Sequence, residues 1–283
     1  MYAYYYSGEC EDKDYYTDLC RERQRADVKC SGIEYEKKIA LIGTWERVRV
    51  TNEEGERSVM RPIGIYDTLS TERLDKLCED ELFDAKEELA GRMCDLIDEC
   101  GIFPGRILVV GFGNKNLTPD SIGPKSAEAV KPTLHISEYE PEVFDELDCS
   151  EIAVFCPTVP SVSGMDSSDN VRLLCERLMP DVVLAIDSIS TKSPERLGST
   201  FQLSTSGLFP GGVGNLHSPI TKSSMGVPVI GIGVPTVIDL RALCPECKNE
   251  DRLFISPREI DEITNNAANV IGGAINMAFG LDL

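Results

Sequence analysis

The stretch Arg106-Ile-Leu-Val-Val-Gly-Phe-Gly113 is an apolar run that leads into a glycine turn. Three later runs have the same character, at 151–156, 181–187 and 227–234. Strands that are apolar on both faces are typical of parallel sheets covered by helices on both sides. A helical pattern at 169–179 separates two of these runs. The sequence therefore predicts an α/β fold with a mainly parallel central sheet and helices on both faces.

The segment before residue 106 has a different pattern. Trp45-Glu-Arg-Val-Arg-Val50 alternates apolar and polar residues, as a half-buried strand does. Asn52-Glu-Glu-Gly55 then predicts a turn, and residues 58–60 a resumed strand, so we expect an N-terminal β-rich extension. Apolar residues recur every three or four positions within 71–100 and predict a long amphipathic helix. At the other end, Ser256 is expected to cap the last helix, with Pro257 in its first turn.

Charge and composition exclude several classes of partner. The 283 residues carry a formal charge of −20, which argues against nucleic acid or an anionic membrane as the main partner. No apolar run approaches the ~20 residues of a membrane span. The first residues also lack the features of a secretory signal. Eleven cysteines without a framework spacing then predict buried free thiols in a reducing cytoplasm.

Two aspartates occupy positions where an α/β sheet places its ligands, outside the carboxyl ends of the strands. Asp120 follows the first apolar run, and Asp187 ends the third. Such an acid is often only a helix N-cap. Two carboxylates that converge cannot easily ionise together, however, so they share a proton and offer an acid and a base. We therefore regard Asp120 and Asp187 as the candidate catalytic pair.

Other motifs are weaker. The loop Pro210-Gly-Gly-Val-Gly-Asn215 is either a tight connection or a backbone that presents N–H groups to a substrate, with Gly211, Gly212, Gly214 and Asn215 as candidate oxyanion-binding residues. His135 is a further candidate for a substrate-binding or oxyanion-binding residue near the site. The pair Cys244 and Cys247 lacks the further ligands of a structural zinc site. Gly111-Phe-Gly113 lacks the rest of a dinucleotide fingerprint, so no cofactor is predicted. No metal is predicted either.

Several long motifs follow one another in a characteristic order. They are Gly111-Phe-Gly-Asn through Thr118-Pro-Asp-Ser-Ile-Gly-Pro124, Pro180-Asp-Val-Val-Leu-Ala-Ile-Asp187, 201–215, 225–239 and 255–261. Together they resemble the signatures of the spore germination protease family, the endopeptidases that degrade small acid-soluble spore proteins. The resemblance runs from about residue 16 to the end of the chain.

This resemblance implies an atypical aspartic peptidase on a phosphorylase/hydrolase-like α/β fold. The two essential aspartates of the family fall on Asp120 and Asp187. The resemblance also implies a homotetramer in the cytoplasm of the spore or forespore, made as a zymogen. Its expected substrates are small acid-soluble spore proteins.

Two segments depart from the family pattern. Residues 157–167 replace a glycine-containing loop with a bulkier one, and 204–207 lose an acid. The cation of the family's Thr-Arg-His is also lost in Thr133-Leu-His135. These departures leave two alternatives open beside the aspartic peptidase. One is a metal-dependent peptidase that uses the same carboxylates, and the other is a catalytically silent paralogue.

The N-terminal segment suggests a processing site. Thr17-Asp-Leu-Cys20 resembles the family's propeptide junction, with cysteine in place of a similarly small alanine. We therefore expect a propeptide at 1–18, cleavage between Asp18 and Leu19, and a single α/β peptidase domain at 19–283. The alternative is a frayed terminus without a regulatory role.

Overall fold

A computed structural model describes residues 17–23, 31–209, 218–244 and 253–281. It confirms the predicted α/β class, since one mixed sheet carries helices on both faces. The strands in the described residues are β1 Ile33–Ile39, β2 Thr44–Val50, β3 Gly64–Ser70, β4 Arg106–Gly111, β5 Glu151–Phe155, β6 Val182–Thr191, β7 Thr200–Ser204, β8 Val229–Asp239 and β9 Phe254–Ile255.

The sheet joins a parallel half to an antiparallel half. Its order is β1-β2-β3-β7-β8-β6-β4-β5, with β9 paired to the end of β8. Strands β5, β4, β6 and β8 run parallel to one another. Strand β7 is antiparallel to β8, and β3, β2 and β1 follow as an antiparallel meander. The β-rich N-terminal extension therefore continues the central sheet.

Helices cover both faces and connect the strands. Their bounds are α1 Cys20–Arg23, α2 Glu53–Val59, α3 Glu79–Glu99, α4 Ile122–Ala129, α5 Leu134–Tyr139, α6 Pro141–Leu147, α7 Pro160–Ser163, α8 Ser167–Leu178, α9 Lys222–Met225, α10 Leu240–Leu243 and α11 Ile260–Ala278. On one face α3 and α11 pack on even-numbered residues of β6 such as Leu184 and Ile186. On the other face α8 packs on odd-numbered residues such as Val183 and Ala185. The alternation buries β6 on both sides, as its apolar sequence predicts.

Several predicted local features are wrong. Residues 53–59 form a helix, because the Asn52 side chain accepts a hydrogen bond from Gly55 N (2.9 Å) and so caps a helix where a turn and a strand were expected. Ser256 does not cap the last helix, which begins at Ile260 with Glu259 as its N-cap residue. The long helix predicted within 71–100 begins only at Glu79.

The strands of the parallel half are longer than the apolar runs suggest. Strand β6 continues beyond Asp187 to Thr191, and β8 continues to Asp239. Strand β4 ends earlier, because its last partner on β6 is Ile186. From residue 187 onward, β6 therefore continues past the end of β4. No described helix is long and apolar enough to span a membrane.

Candidate active site

Asp187 lies on β6 at the point where the neighbouring strand β4 ends. Its side chain is buried, with 6% of the residue exposed, and Oδ1 accepts a hydrogen bond from Ser188 N (2.8 Å). In sheet register, Asp187 is opposite Gly233 of β8, and Gly233 is opposite Gln202 of β7. The Ile189 side chain packs over Gly233, since a Cβ there would lie 2.8 Å from Ile189 Cγ2.

Asp120 ends a short 3₁₀ turn, Thr118–Asp120, directly before α4. Its Oδ2 accepts a hydrogen bond from Asn114 N (2.8 Å), and its backbone oxygen accepts from the same N–H (2.9 Å). Gly113 makes this closure possible. It has a φ of +117°, and a Cβ there would lie 2.1 Å from the Asp120 backbone oxygen. The loop after β4 thus holds Asp120 in one place.

Close backbone packing brings the Asp120 turn to β6. Gly123, in the first turn of α4, lies against the backbone where β4 ends beside Ile186 of β6, and Phe112 N donates to Ile186 O (2.8 Å) at this point. A Cβ on Gly123 would lie 2.0 Å from Phe112 O and 2.6 Å from Ile186 O. Only glycine at this position therefore lets α4 begin in contact with the backbones of β4 and β6. This contact places the turn before α4 beside Asp187.

Burial raises the pKa of Asp187 well above that of an ordinary aspartate. The nearby negative charge of Asp120 raises this pKa further, and so does that of Asp18, whereas the hydrogen bond from Ser188 N lowers it. The site therefore favours the protonated form of Asp187. A buried acid that keeps its proton beside a second carboxylate can donate that proton during a reaction.

Residues 17–23, which we call the strap, lie beside this pair. Asp18 N donates to Ser190 O (3.0 Å), and the Asp18 carboxylate accepts from Ser190 N and from Ser190 Oγ, both at 2.9 Å. Arg61 donates to the other carboxylate oxygen (3.2 Å) and to Thr17 O (2.9 Å). The strap is thus hydrogen-bonded to β6 at Ser190, three residues beyond Asp187.

The rest of the strap is also bound firmly. The Gln202 side chain accepts from Cys20 N (2.9 Å) and donates to Asp18 O (3.4 Å). Glu22 accepts from Thr191 Oγ1 and from Lys192 N (2.8 Å). Leu19 and Cys20 are wholly buried. Burial raises the pKa of the Cys20 thiol to about 12, so it remains an unreactive thiol here.

The other predicted site residues have different locations. His135 is exposed on α5, which packs on the edge strand β5, two strands from Asp187. Gly211, Gly212, Gly214 and Asn215 lie outside the described residues, as does Cys247. Across the described ranges, His, Cys, Asp and Glu side chains form no group of three or more arranged to hold a metal ion.

The cysteines that the structure describes are free, but the expectation of buried thiols holds only for some of them. Cys20 and Cys175 are buried, whereas Cys78, Cys100 and Cys156 are exposed. Cys100 directly follows α3 and Cys156 directly follows β5, so both lie past the end of an element.

Sequence reasoning missed three residues that hydrogen-bond to the strap. They are Arg61, Ser190 and Gln202. Arg61 follows α2, which was not predicted, and Gln202 lies on β7, whose polar sequence gave no strand signal. Ser190 belongs to the part of β6 beyond the apolar run. Alternation of Gln202 with the buried Phe201 and Leu203 was the one available signal for β7.

Comparison with known proteins gives consistent matches. The model of the germination protease family matches residues 10–250. A germination protease of Caldanaerobacter subterraneus subsp. tengcongensis is 32% identical, with 82% of this chain and 83% of the relative covered. A germination protease of Clostridium perfringens is 28% identical, with 93% of this chain and 94% of the relative covered. One of Bacillus licheniformis is 36% identical, over 78% of this chain and 61% of the relative.

Among solved structures, a [NiFe] hydrogenase maturation protease from Thermococcus kodakarensis is 17% identical. The match covers 65% of this chain and 99% of that one, with a TM-score of 0.38.

Proposed function

Since the chain belongs to the germination protease family, we propose that it is an endopeptidase that degrades small acid-soluble spore proteins with a water molecule activated by Asp120 and Asp187. The observation that carries this proposal is the pairing of a buried Asp187 with the negative charge of Asp120. The family accounts for a protease role in spore germination. The substrate and the aspartic mechanism are our inference.

In this mechanism the two carboxyls have different roles. Asp120, which is partly exposed, takes a proton from the attacking water. The water oxygen adds to the carbonyl carbon of the scissile peptide bond. Asp187, protonated at the start, supplies a proton as the C–N bond breaks and the amine leaves. The shared site then carries one proton again, because the proton gained by Asp120 replaces the one that Asp187 gave up.

We further propose that residues 1–18 are a propeptide and that the chain cuts itself between Asp18 and Leu19. Residues 1–16 lie outside the described residues. The charge of Asp18 lies near enough to Asp187 to raise its pKa, and Leu19 is wholly buried. A bond held in this way is inaccessible to a separate protease but close to the chain's own carboxyls. The strap blocks the site until it is cut, so the uncut chain is a zymogen.

The proposal extends to the setting of the enzyme. By its family it is expected to act in the cytoplasm of the spore core as a homotetramer. The expected partners are its protein substrates and further copies of itself.

One experiment separates this function from its alternatives. The purified full chain is incubated with acid-soluble spore protein, with and without a chelator, and the products are followed by electrophoresis and mass spectrometry. An aspartic peptidase cuts the protein equally in both conditions, and Asp187→Asn does not cut it.

The other outcomes identify the alternatives. Activity that is lost with chelator and returns only with added metal supports a metal-dependent peptidase. A folded and processed chain that cuts nothing supports a catalytically silent paralogue.

A further inference from the structure

Strand β1 forms the outer edge of the sheet, and no strand in the described part of the chain pairs with its far side. Its residues are exposed from Glu34 to Ile39, and Ile39 is 93% exposed. An edge strand of this length offers a row of backbone donors and acceptors to a further strand. Charged side chains on such an edge limit which strands can pair with it.

The hydrogen bonds to β2 show which backbone groups of β1 face outward. Thr51 N donates to Gly32 O (2.9 Å) just before β1, and Ala40 N donates to Gly43 O (3.3 Å) just after it. Bonded pairs alternate with unbonded pairs in an antiparallel ladder, so the even-numbered residues of β1 bond to β2. The odd-numbered residues therefore direct their N–H and C=O groups away from the sheet. They are Ile33, Tyr35, Lys37 and Ile39.

The charges of β1 are arranged in two blocks. Glu34 and Glu36 come first, and Lys37 and Lys38 follow, so the strand is neutral within a chain of net charge −20. Acids that precede bases make a strand complementary to itself when two copies run antiparallel, because the acidic half of each copy meets the basic half of the other. The edge of β1 therefore fits a second copy, although the net charge of the whole chain disfavours self-association.

One register satisfies both the backbone and the charges. Outward backbone groups meet only where an odd-numbered residue lies opposite another, so a slip of one residue breaks the ladder. Full overlap of the two strands puts Ile33 opposite Ile39 of the second copy and Glu34 opposite its Lys38. Glu36 then lies at the two-fold axis. Its charge is offset by its own strand, since Lys38 Nζ lies 2.9 Å from Glu36 Oε1.

The neighbouring registers that keep odd-numbered residues paired are less favourable. A shift of two residues in one direction places Glu34 opposite Glu36 of the second copy, and like charges opposite each other destabilise a strand pair. The same shift in the other direction places Lys37 opposite its own counterpart. Both shifts also shorten the overlap, so the charges and the length of β1 select the fully overlapped register.

We propose that β1 is a two-fold interface at which two copies of this chain join their sheets edge to edge. The contact between Glu34 and Lys38 forms twice, once on each side of the axis. Ile39, which is exposed in the single chain, gains an apolar neighbour in Ile33 of the second copy. The inference names a surface for the assembly expected of this family and rests on the proposed function in that respect alone. It does not involve the catalytic pair.

Charge reversal tests the pairing of Glu34 with Lys38. Sedimentation of the full chain over a dilution series measures how tightly copies associate. Glu34→Lys and Lys38→Glu are each expected to weaken association about ten-fold or more, because like charges then face each other on both sides of the axis. Mixing the two variants restores association, since one chain is then positive and the other negative at both positions. Arg57→Glu, an equal charge change at an exposed site of α2, is the matched control and leaves association unchanged.

An engineered disulfide tests the register itself. Glu36 lies opposite its counterpart in an unbonded pair, where Cα atoms are about 4.5 Å apart and within the range of a disulfide. Glu36→Cys is therefore expected to give a covalent dimer under mild oxidation. Glu34→Cys is the matched control and is expected not to cross-link, because the two copies of residue 34 are about 14 Å apart along the strands. The parent chain under the same oxidation accounts for the native cysteines.

The outcomes separate this interface from the proposed function. A parent chain that stays monomeric, association that survives both charge reversals, or no recovery on mixing overturns the interface. Cross-linking of Glu34→Cys as readily as of Glu36→Cys overturns the register. A chain that cuts acid-soluble spore protein but fails these tests keeps the proposed function without the interface. A chain that passes them but cuts nothing keeps the interface, and the proposed function fails.

Discussion

The negative charge of Asp120 raises the pKa of Asp187, although the two residues come from different strand connections of the sheet. Asp187 belongs to β6, whereas Asp120 belongs to the turn after β4. They meet because Gly123 allows α4 to begin directly against the end of β4 and the middle of β6. The two residues also differ in burial, since Asp187 is buried and Asp120 is partly exposed. In the proposed mechanism this difference makes Asp187 the acid and Asp120 the base.

The first prediction concerns this pair as one functional unit. Asp120→Asn and Asp187→Asn are each expected to lower kcat/KM by about 10⁴-fold or more, and the double variant to lose little beyond either single variant. Groups that act together in one step are not additive, because the step is already lost with the first. Exposed Asp145→Asn is the control. Additive losses in well-folded variants would show that the two residues act separately.

The second prediction concerns stability and pH. The folded protein holds Asp187 with a raised pKa, whereas the unfolded chain has an ordinary value near ~3.9. Between these two values the unfolded state releases the proton more readily, so stability falls as pH rises, by up to about 1.4 kcal/mol per pH unit. Asp187→Asn removes this cost. Its melting temperature should therefore exceed that of the parent chain by more at pH 7 than at pH 5.

Thermal melts at both pH values, with Asp145→Asn as the exposed control, measure this difference. If the difference in melting temperature between Asp187→Asn and the parent chain stays constant or shrinks with rising pH, the raised pKa of Asp187 is contradicted.

The third prediction concerns the close approach at Gly123. A methyl group there meets Phe112 O and Ile186 O, so Gly123→Ala should cost about 1–3 kcal/mol of unfolding free energy. It should also move the Asp120 turn away from Asp187 and lower activity about 10²-fold. Gly91→Ala is the matched control, because Gly91 lies on α3 with no atom near the added methyl. That change should stabilise the helix by about 0.5–1 kcal/mol. Equal effects of the two substitutions in denaturant titrations would refute the packing argument.

The fourth prediction concerns the mature terminus. Mass spectrometry of the active enzyme should find a chain that begins at Leu19. Asp18→Asn should slow this processing, since the amide lacks the charge that Arg61 and Ser190 bind. Asp187→Asn should prevent it. A fully active chain that retains Met1, or a mature terminus elsewhere, would show that the strap is not a processing site.

Sequence patterns predicted the parts of this fold that are governed by burial. The apolar runs at 106–113 and 181–187 became β4 and the first half of β6 because both faces of these strands are covered. Asp120 and Asp187 could be selected because each follows such a run. The pattern failed where polar contacts decide the structure. Asn52 signals a turn as readily as a helix cap, and only its bond to Gly55 N distinguishes them.

The residues around the strap could not be predicted for a similar reason. Arg61 and Gln202 have no periodicity or motif that marks them, and both meet the strap through contacts with residues far away in sequence. Their role depends on the register of β7 against β8 and on the point at which β4 ends. Both are properties of the assembled sheet.

The burial of Cys20 has a practical consequence for following activation. Its thiol sits next to the proposed cut, in a position where solvent and reagents have no access. If residues 1–18 depart as proposed, we expect the new end of the chain to loosen and the thiol to become available to an alkylating agent. The rate at which Cys20 is labelled would then report when the strap loosens from the site. This natural probe reports on the strap itself, without an added fluorophore.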